Sequence, residues 1–270
     1  MARTIALICI TMILSMTLNF GPACAQAEED GIKLFDETNL LRDKVRSRED
    51  LDKVIEKYEE ALKIFEKVKS EGYIGVATNN LGVIYAKLGE PKKAVEYFER
   101  SLELKRKLGD EKGEEQTLTN LGAARMELGE LSKAVECHER SLELARKIGD
   151  VSDEAVTLHN MGRTYVEWKQ YSKAIEYYER SLELKKKLGD SEGQAETLIS
   201  MGNAQAHAGE HLKAIETYER SLELFKKIGD IDAQKQTLMN MGKVYAAAGE
   251  HLKAVECYKR SLELGKDSAK

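Results

Sequence analysis

Residue types that do chemistry occur in this chain, but not in arrangements that chemistry uses. The nearest thing to a metal-ligand pattern is His207-Ala208-Gly209-Glu210-His211. In an H-E-x-x-H site two imidazoles four apart on one helix face hold zinc while the glutamate acts as base. Here Gly209 falls between the histidines and marks a turn, so the spacing crosses from one helix to the next. Serine recurs in Ser-Leu-Glu-Leu at Ser101, Ser141, Ser181, Ser221 and Ser261. A serine nucleophile needs a G-x-S-x-G elbow and a base within reach, and neither accompanies these serines. A residue present in every copy of a repeat has a structural duty first. No glycine-rich loop that would cradle a phosphate occurs. The expectation is a non-enzymatic chain without metal or cofactor. Of the four cysteines, Cys9 and Cys24 fall in an apolar leader. Cys137 and Cys257 hold equivalent positions three repeats apart. Helices pack about 8–10 Å from one another, so six helix steps put these two thiols beyond the roughly 7 Å between Cα atoms that a disulfide spans. They read as packing residues, with a redox or intermolecular role as the alternative.

What positions all of these residues is a unit that returns every 40 residues. Its clearest copy runs from Asn80 to Asp110. Alanine recurs at Ala94, Ala134, Ala174, Ala214 and Ala254, and Gly-Asp closes units at Gly109, Gly149, Gly189 and Gly229. A fixed period of this size is the mark of stacked supersecondary units. Each unit reads as two helices. Ile74, Ala77, Leu81, Gly82, Tyr85 and Leu88 form one apolar stripe at spacings of three and four. Gly89 reverses the chain, and Pro91 suits the first turn of the second helix. That helix carries Ala94, Phe98, Ser101, Leu102 and Leu108. Glu96 with Arg100, and Glu103 with Lys107, stand four apart in the favourable order. Lys105, Arg106 and Lys107 face the negative end of the helix dipole. Gly109 stops the helix, and Asp110 is placed to cap the next one.

Leu81-Gly82, Tyr85, Ala94 and Phe98, and again Met161-Gly162, Tyr165, Ala174 and Tyr178, resemble the tetratricopeptide repeat, whose pattern is W-x2-L-G-x2-Y, then A-x3-F, then P. The sequence departs from that pattern in three ways. Thr78, Leu118, Leu158, Leu198 and Leu238 stand where the family has tryptophan. Arg125 and Gln205 replace the tyrosine. The closing proline is missing, so the second helix runs on to the Gly-Asp pair. The longer unit is similar to the long repeats of Pins-type G-protein-signalling scaffolds. The resemblance covers residues 51–264. It implies an all-α right-handed superhelical solenoid of about six antiparallel helix pairs, stable through nearest-neighbour interfaces.

Residues 1–27 read as a signal peptide. Arg3 gives a positive start, Thr4 to Phe20 is apolar, Gly21 and Pro22 break the run, and Ala23-Cys24-Ala25 or Ala25-Gln26-Ala27 fits a cleavage site. The expected location is exported, periplasmic or secreted. The alternative is a membrane anchor, if the leader is retained or lipidated at Cys24. Residues 28–70 form a degenerate amino-terminal capping repeat, with Leu34, Leu41 and Val45 keeping the apolar spacing and Arg42 replacing the glycine. Regular units follow at 71–110, 111–150, 151–190, 191–230 and 231–270. The net charge is −5 with both signs interleaved, so no nucleic-acid footprint is present.

The repeats align one another, and function is expected where they differ. In tetratricopeptide proteins the first helix of each pair lines a concave groove. That resemblance puts Asn79, Thr119, His159, Arg163, Asn203, Met239 and Lys243 against a protein or peptide ligand, an extended segment or a partner helix. Asn80, Asn120, Asn160 and Asn240 recur one position along, with Ser200 breaking the series. They either bond a peptide backbone or tie neighbouring helices together. Trp168 replaces Leu88 and Lys169 the turn glycine in one unit, and core packing is the expectation for the tryptophan. The reading is a protein-interaction scaffold, with a ligand-responsive regulator or sensor as the alternative and self-association through the carboxy-terminal face as a further expectation.

Overall fold

The computed structural model describes residues 22–45 and 47–267. The predicted leader lies outside the described residues as far as residue 21. Among the described residues twelve helices follow one another in pairs: α1 Pro22–Arg42, α2 Arg48–Val68, α3 Glu71–Lys87, α4 Pro91–Leu108, α5 Glu111–Glu127, α6 Leu131–Ile148, α7 Val151–Glu167, α8 Tyr171–Leu188, α9 Ser191–His207, α10 His211–Ile228, α11 Ile231–Ala247 and α12 His251–Asp267. No strand occurs among the described residues. The fold is the all-α solenoid type expected. Two compact units divide the chain at residue 120, inside α5.

Helix boundaries fall where local chemistry sets them. Pro91 occupies the first turn of α4, where its missing N–H has no intrahelical duty. Gly109 ends α4 in the left-handed region at φ 66°, with its N–H returned to the carbonyls of Lys105 and Arg106; without a Cβ it takes this conformation at no steric cost. Asp110 Oδ1 then accepts the Gly113 N–H at 2.9 Å, and Asp150, Asp190 and Asp230 repeat that cap at 3.0, 2.8 and 2.9 Å. Such a cap contributes about 1 kcal/mol.

Within a pair, a glycine of the first helix lies beneath an aromatic ring of the second. A Cβ on Gly82 would fall 2.6 Å from Phe98, and one on Gly162 would fall 2.5 Å from Tyr178, so only glycine lets these helices approach so closely. The Ser-Leu-Glu-Leu serine closes the same crossing. Ser101 Oγ donates to the Gly75 carbonyl at 2.7 Å, Ser181 to Ala155 at 2.7 Å and Ser221 to Ala195 at 2.9 Å. Each is fully buried, which spends the hydroxyl on structure. Phe35, Tyr58, Phe65, Leu81 and Phe98 fill the first unit, and Leu158, Met161, Tyr178, Leu198, Met201, Tyr218 and Leu238 the second.

Three local expectations are corrected. Arg100 pairs across repeats with Glu66 at 2.5 Å, and Lys107 reaches Glu71. Their long stems bring them to carboxylates on other helices in place of Glu96 and Glu103 one turn away. In α1 the buried positions are Gly31, Phe35 and Thr38, while Leu41 is exposed. Arg42 replaces the glycine that permits close approach in the regular units, so this end of α1 stays unburied. Trp168 is 41% exposed and stacks flat on Tyr165, with ring centroids 6.1 Å apart. It caps a turn that Lys169 makes at φ 58°, in the region its glycine counterparts use.

Candidate functional site

In the first unit the predicted groove residues spend much of their bonding capacity on each other. Asn80 Nδ2 donates to Asn39 Oδ1 at 3.3 Å and to the Tyr58 hydroxyl at 3.4 Å, and that hydroxyl donates to Asn39 Oδ1 at 2.5 Å. Asn79 Oδ1 accepts from Asn120 Nδ2 at 3.4 Å and lies 3.4 Å from the Thr117 hydroxyl. Thr119 bonds Glu115 on its own helix at 3.3 Å. Here the asparagine series ties successive first helices together, one of the two roles open to it.

The second unit repeats the tie with different chemistry. His159, equivalent to Asn79, brings Nδ1 to 3.2 Å from the Thr197 hydroxyl. Thr197 Oγ1 donates to the Gly193 carbonyl at 2.8 Å, as Thr117 and Thr237 donate to the carbonyls four residues back, each at 2.8 Å. With its proton committed there, the hydroxyl accepts, so Nδ1 of His159 carries the hydrogen and Nε2 the lone pair. Lys185 Nζ donates to the same hydroxyl at 3.0 Å and to the Gly193 carbonyl at 3.2 Å. Burial, with Lys185 and Arg163 nearby, lowers the His159 pKa to about 3. It is a neutral ring with one tautomer fixed, tilted over Tyr178 with centroids 5.2 Å apart.

Around it the predicted residues separate into two groups. Asn203 accepts from the Tyr218 hydroxyl at 2.5 Å, and Asn240 from Gln236 at 3.1 Å. Arg163 and Lys243 are exposed, Met239 is 42% exposed, and Asn160 is half-buried. Among the described residues the side chains of Asn160, Arg163 and Lys243 have no hydrogen-bond or ion-pair partner; the Asn160 carbonyl accepts from the Thr164 hydroxyl at 3.0 Å. They are polar groups of the first helices α7 and α11 with capacity left for a ligand.

Two residues that sequence reasoning passed over belong to the same neighbourhood. His138 stands where other repeats carry Tyr58, Phe98, Tyr178, Tyr218 and Tyr258. It is fully buried over Gly122, and neither ring nitrogen has a partner. Burial, helped by Arg163, lowers its pKa to about 4. The break in the aromatic series was its visible signal. Lys185 is buried without a carboxylate partner and its pKa is lowered by burial, whereas the equivalent Lys105 pairs with Asp110 at 2.7 Å.

Among the described residues no three His, Cys, Asp or Glu side chains cluster to hold a metal. His207 stacks on Tyr171 at 5.7 Å. Cys137 and Cys257 are buried and form no disulfide among the described residues, and Cys137 Sγ accepts from Arg125 at 3.4 Å.

A family model described as tetratricopeptide repeat matches residues 45–107, 114–187 and 193–267. No curated protein matches. Among solved structures, BtubC (BKLC) from P. vanneervenii is similar with a TM-score of 0.64 at 18% identity, covering 92% of this chain and 93% of that one. The apo form of RapI has a TM-score of 0.67 at 15% identity, covering 90% and 98%. A signal-transduction ATPase with numerous domains from Pyrococcus horikoshii, which carries a tetratricopeptide repeat sensor, has a TM-score of 0.66 at 18% identity, covering 87% of this chain and 40% of that one. At these identities the likeness is one of fold.

Proposed function

The chain belongs to the tetratricopeptide repeat family, and from that premise we propose that it is a non-catalytic scaffold that binds a peptide or partner helix along its first-helix face. The observation that carries this reading is the division of labour on that face. Asn79, Asn80 and Asn120 hold helices together, while the side chains of Asn160, Arg163 and Lys243 are left unpartnered on the same kind of helix. A rigid face with spare donors binds an extended segment at little ordering cost to itself. The spare donors include two cations, so the ligand carries acidic or carbonyl-rich stretches. A pull-down from the native compartment tests this, using the chain against a variant with Asn160→Ala, Arg163→Ala and Lys243→Ala. The variant is expected to lose the captured partner. Unchanged capture overturns the assignment.

Two parts of the reading concern location and assembly. The leader residues support export to the periplasm or outside the cell. Sequencing the amino terminus of the mature protein tests it, and a start at Met1 would overturn it. Among the described residues no helix is long and apolar enough to cross a membrane. On α12, Val255 and Leu262 are 63% and 69% exposed, whereas the equivalent Ile215 and Leu222 are 7% and 4% exposed against the next repeat. That surface suits a second copy of this chain, because in the preceding repeat it is covered by a helix of the same kind. Light scattering of Leu262→Glu beside the parent protein tests it. A parent that stays monomeric at high concentration overturns it.

A further inference from the structure

The second helices differ from repeat to repeat in a way the first-helix reading does not use. In two repeats a cation of the second helix is paired with the first helix that follows: Arg106 Nε with Glu114 at 3.0 Å, and Arg146 Nε with Glu154 at 2.7 Å. In the next two both partners change together, to Lys186 with Gln194 and Lys226 with Gln234. The glutamines bond elsewhere. Gln194 Nε2 donates to the Lys185 carbonyl at 3.4 Å and Gln234 Nε2 to the Phe225 carbonyl at 3.2 Å. Lys226 turns to Glu223 at 4.0 Å on its own helix. Among the described residues Lys186 has no ion-pair partner, and neither do Arg220 and Lys227.

A cleft of about 520 Å³ opens at Lys186, between α8, α9 and α10. Leu182, Leu198 and Leu224 form its apolar floor, and Lys186, Arg220 and Lys227 stand at its rim with Glu183 and Glu223. An apolar trough between two helices takes the ridge of a third. Three cations against two carboxylates favour an acidic visitor. The two rim carboxylates would repel a chain of phosphates, and three leucines offer a phosphate nothing.

We propose that this cleft docks an acidic amphipathic helix of a partner protein, with apolar side chains on Leu182, Leu198 and Leu224 and carboxylates against Lys186, Arg220 and Lys227. It is a second interaction surface, lined mostly by the second helices α8 and α10, and it uses none of Asn160, Arg163 and Lys243. The test uses the full chain and a fluorescein-labelled peptide of about 18 residues, five helical turns, with leucines at i, i+3, i+4 and i+7 and glutamate on the flanks. Lysine-for-glutamate and scrambled peptides and anionic phosphatidylglycerol vesicles serve as comparisons. Fluorescence anisotropy is expected to show saturable binding of the acidic helix alone. Gln194→Glu restores the carboxylate of the earlier repeats, keeps the fold by circular dichroism, and weakens binding about tenfold, the loss of one charge-assisted contact. Leu224→Glu abolishes it. Arg163→Ala with Lys243→Ala leaves it unchanged, which separates this site from the first-helix face. No saturable binding of the acidic peptide, equal binding of the basic peptide or the vesicles, or a Gln194→Glu protein that binds as tightly as the parent overturns the proposal.

Discussion

Acidification should loosen the second unit through His138. Its ring is fully buried over Gly122 with both nitrogens unpartnered, and its pKa is lowered to about 4. In the unfolded chain a histidine titrates near 6.5. As pH falls through that value the unfolded chain takes up a proton that the folded one refuses until about pH 4. The unfolded state binds more protons throughout this window, so stability falls as pH falls. From about 6.5 down to about 4 is about 2.5 pH units, and at about 1.4 kcal/mol per unit the fully expressed loss is about 3.5 kcal/mol. His159, lowered to about 3, acts in the same direction. The comparison is with His138→Phe, because Phe98 fills the equivalent place over Gly82. Urea unfolding followed by circular dichroism should show the variant gaining on the parent by about 2–3 kcal/mol between about pH 7.5 and pH 4.5. Carboxylates titrating near the lower end act on both proteins alike and cancel. Repeat arrays also open locally, so amide exchange in α6 and α7 is followed in parallel and should lose protection with acid only in the parent. A stability difference that does not move with pH would refute the reasoning.

Three further outcomes follow from single contacts. Lys169→Gly should stabilise the protein by about 1 kcal/mol, since Lys169 holds φ 58° in a turn where other repeats have glycine; a urea midpoint at or below that of the parent would count against it. Ser181→Ala should cost about 1–3 kcal/mol by leaving the buried Ala155 carbonyl without the serine donor, and partner capture should survive it, which separates the recurring serine from function. Gly162→Ala should destabilise by about 1–3 kcal/mol, because its methyl would fall 2.5 Å from the Tyr178 ring; chemical denaturation reads both this and the serine variant.

The helices were legible because their ends are written in residues with one strong local preference. Gly109 and Asp110 stop one helix and cap the next with groups three or four residues away, and the same pair recurs at a fixed interval. Long side chains were less legible, because their partners depend on packing. Arg100 has a carboxylate one turn away on α4 and takes Glu66 on another helix. The asparagines show the same limit. Spacing put Asn80 and Asn160 in one series, yet Asn80 is bonded to the preceding repeat and the Asn160 side chain is unpartnered, because Tyr58 offers Asn80 a hydroxyl. His138 could have been flagged from sequence as the one imidazole in an aromatic series. That it carries no partner could be known only from the packing over Gly122.

An array of near-identical units carries its own controls, and that is what separates structure from recognition in this chain. Where every regular repeat keeps a residue, as with the serine over the crossing or the glycine under the ring, the contact is internal and buried. Where two residues change together, the contact they made has been given up. Arg106 with Glu114 and Arg146 with Glu154 join neighbouring helices; Lys186 and Gln194 stand in the same places and do not. The arginines of these pairs are about half exposed, so loss of such a pair costs little stability, about 1 kcal/mol. It frees a cation beside an apolar cleft, so a small loss within the fold becomes capacity for a partner. His159 for Asn79 is the opposite case, since the residue type changes while the bond to the next threonine is kept. Substitution alone therefore does not mark a site. The positions that mark one are those where a change leaves a polar group with nothing of its own chain to bind.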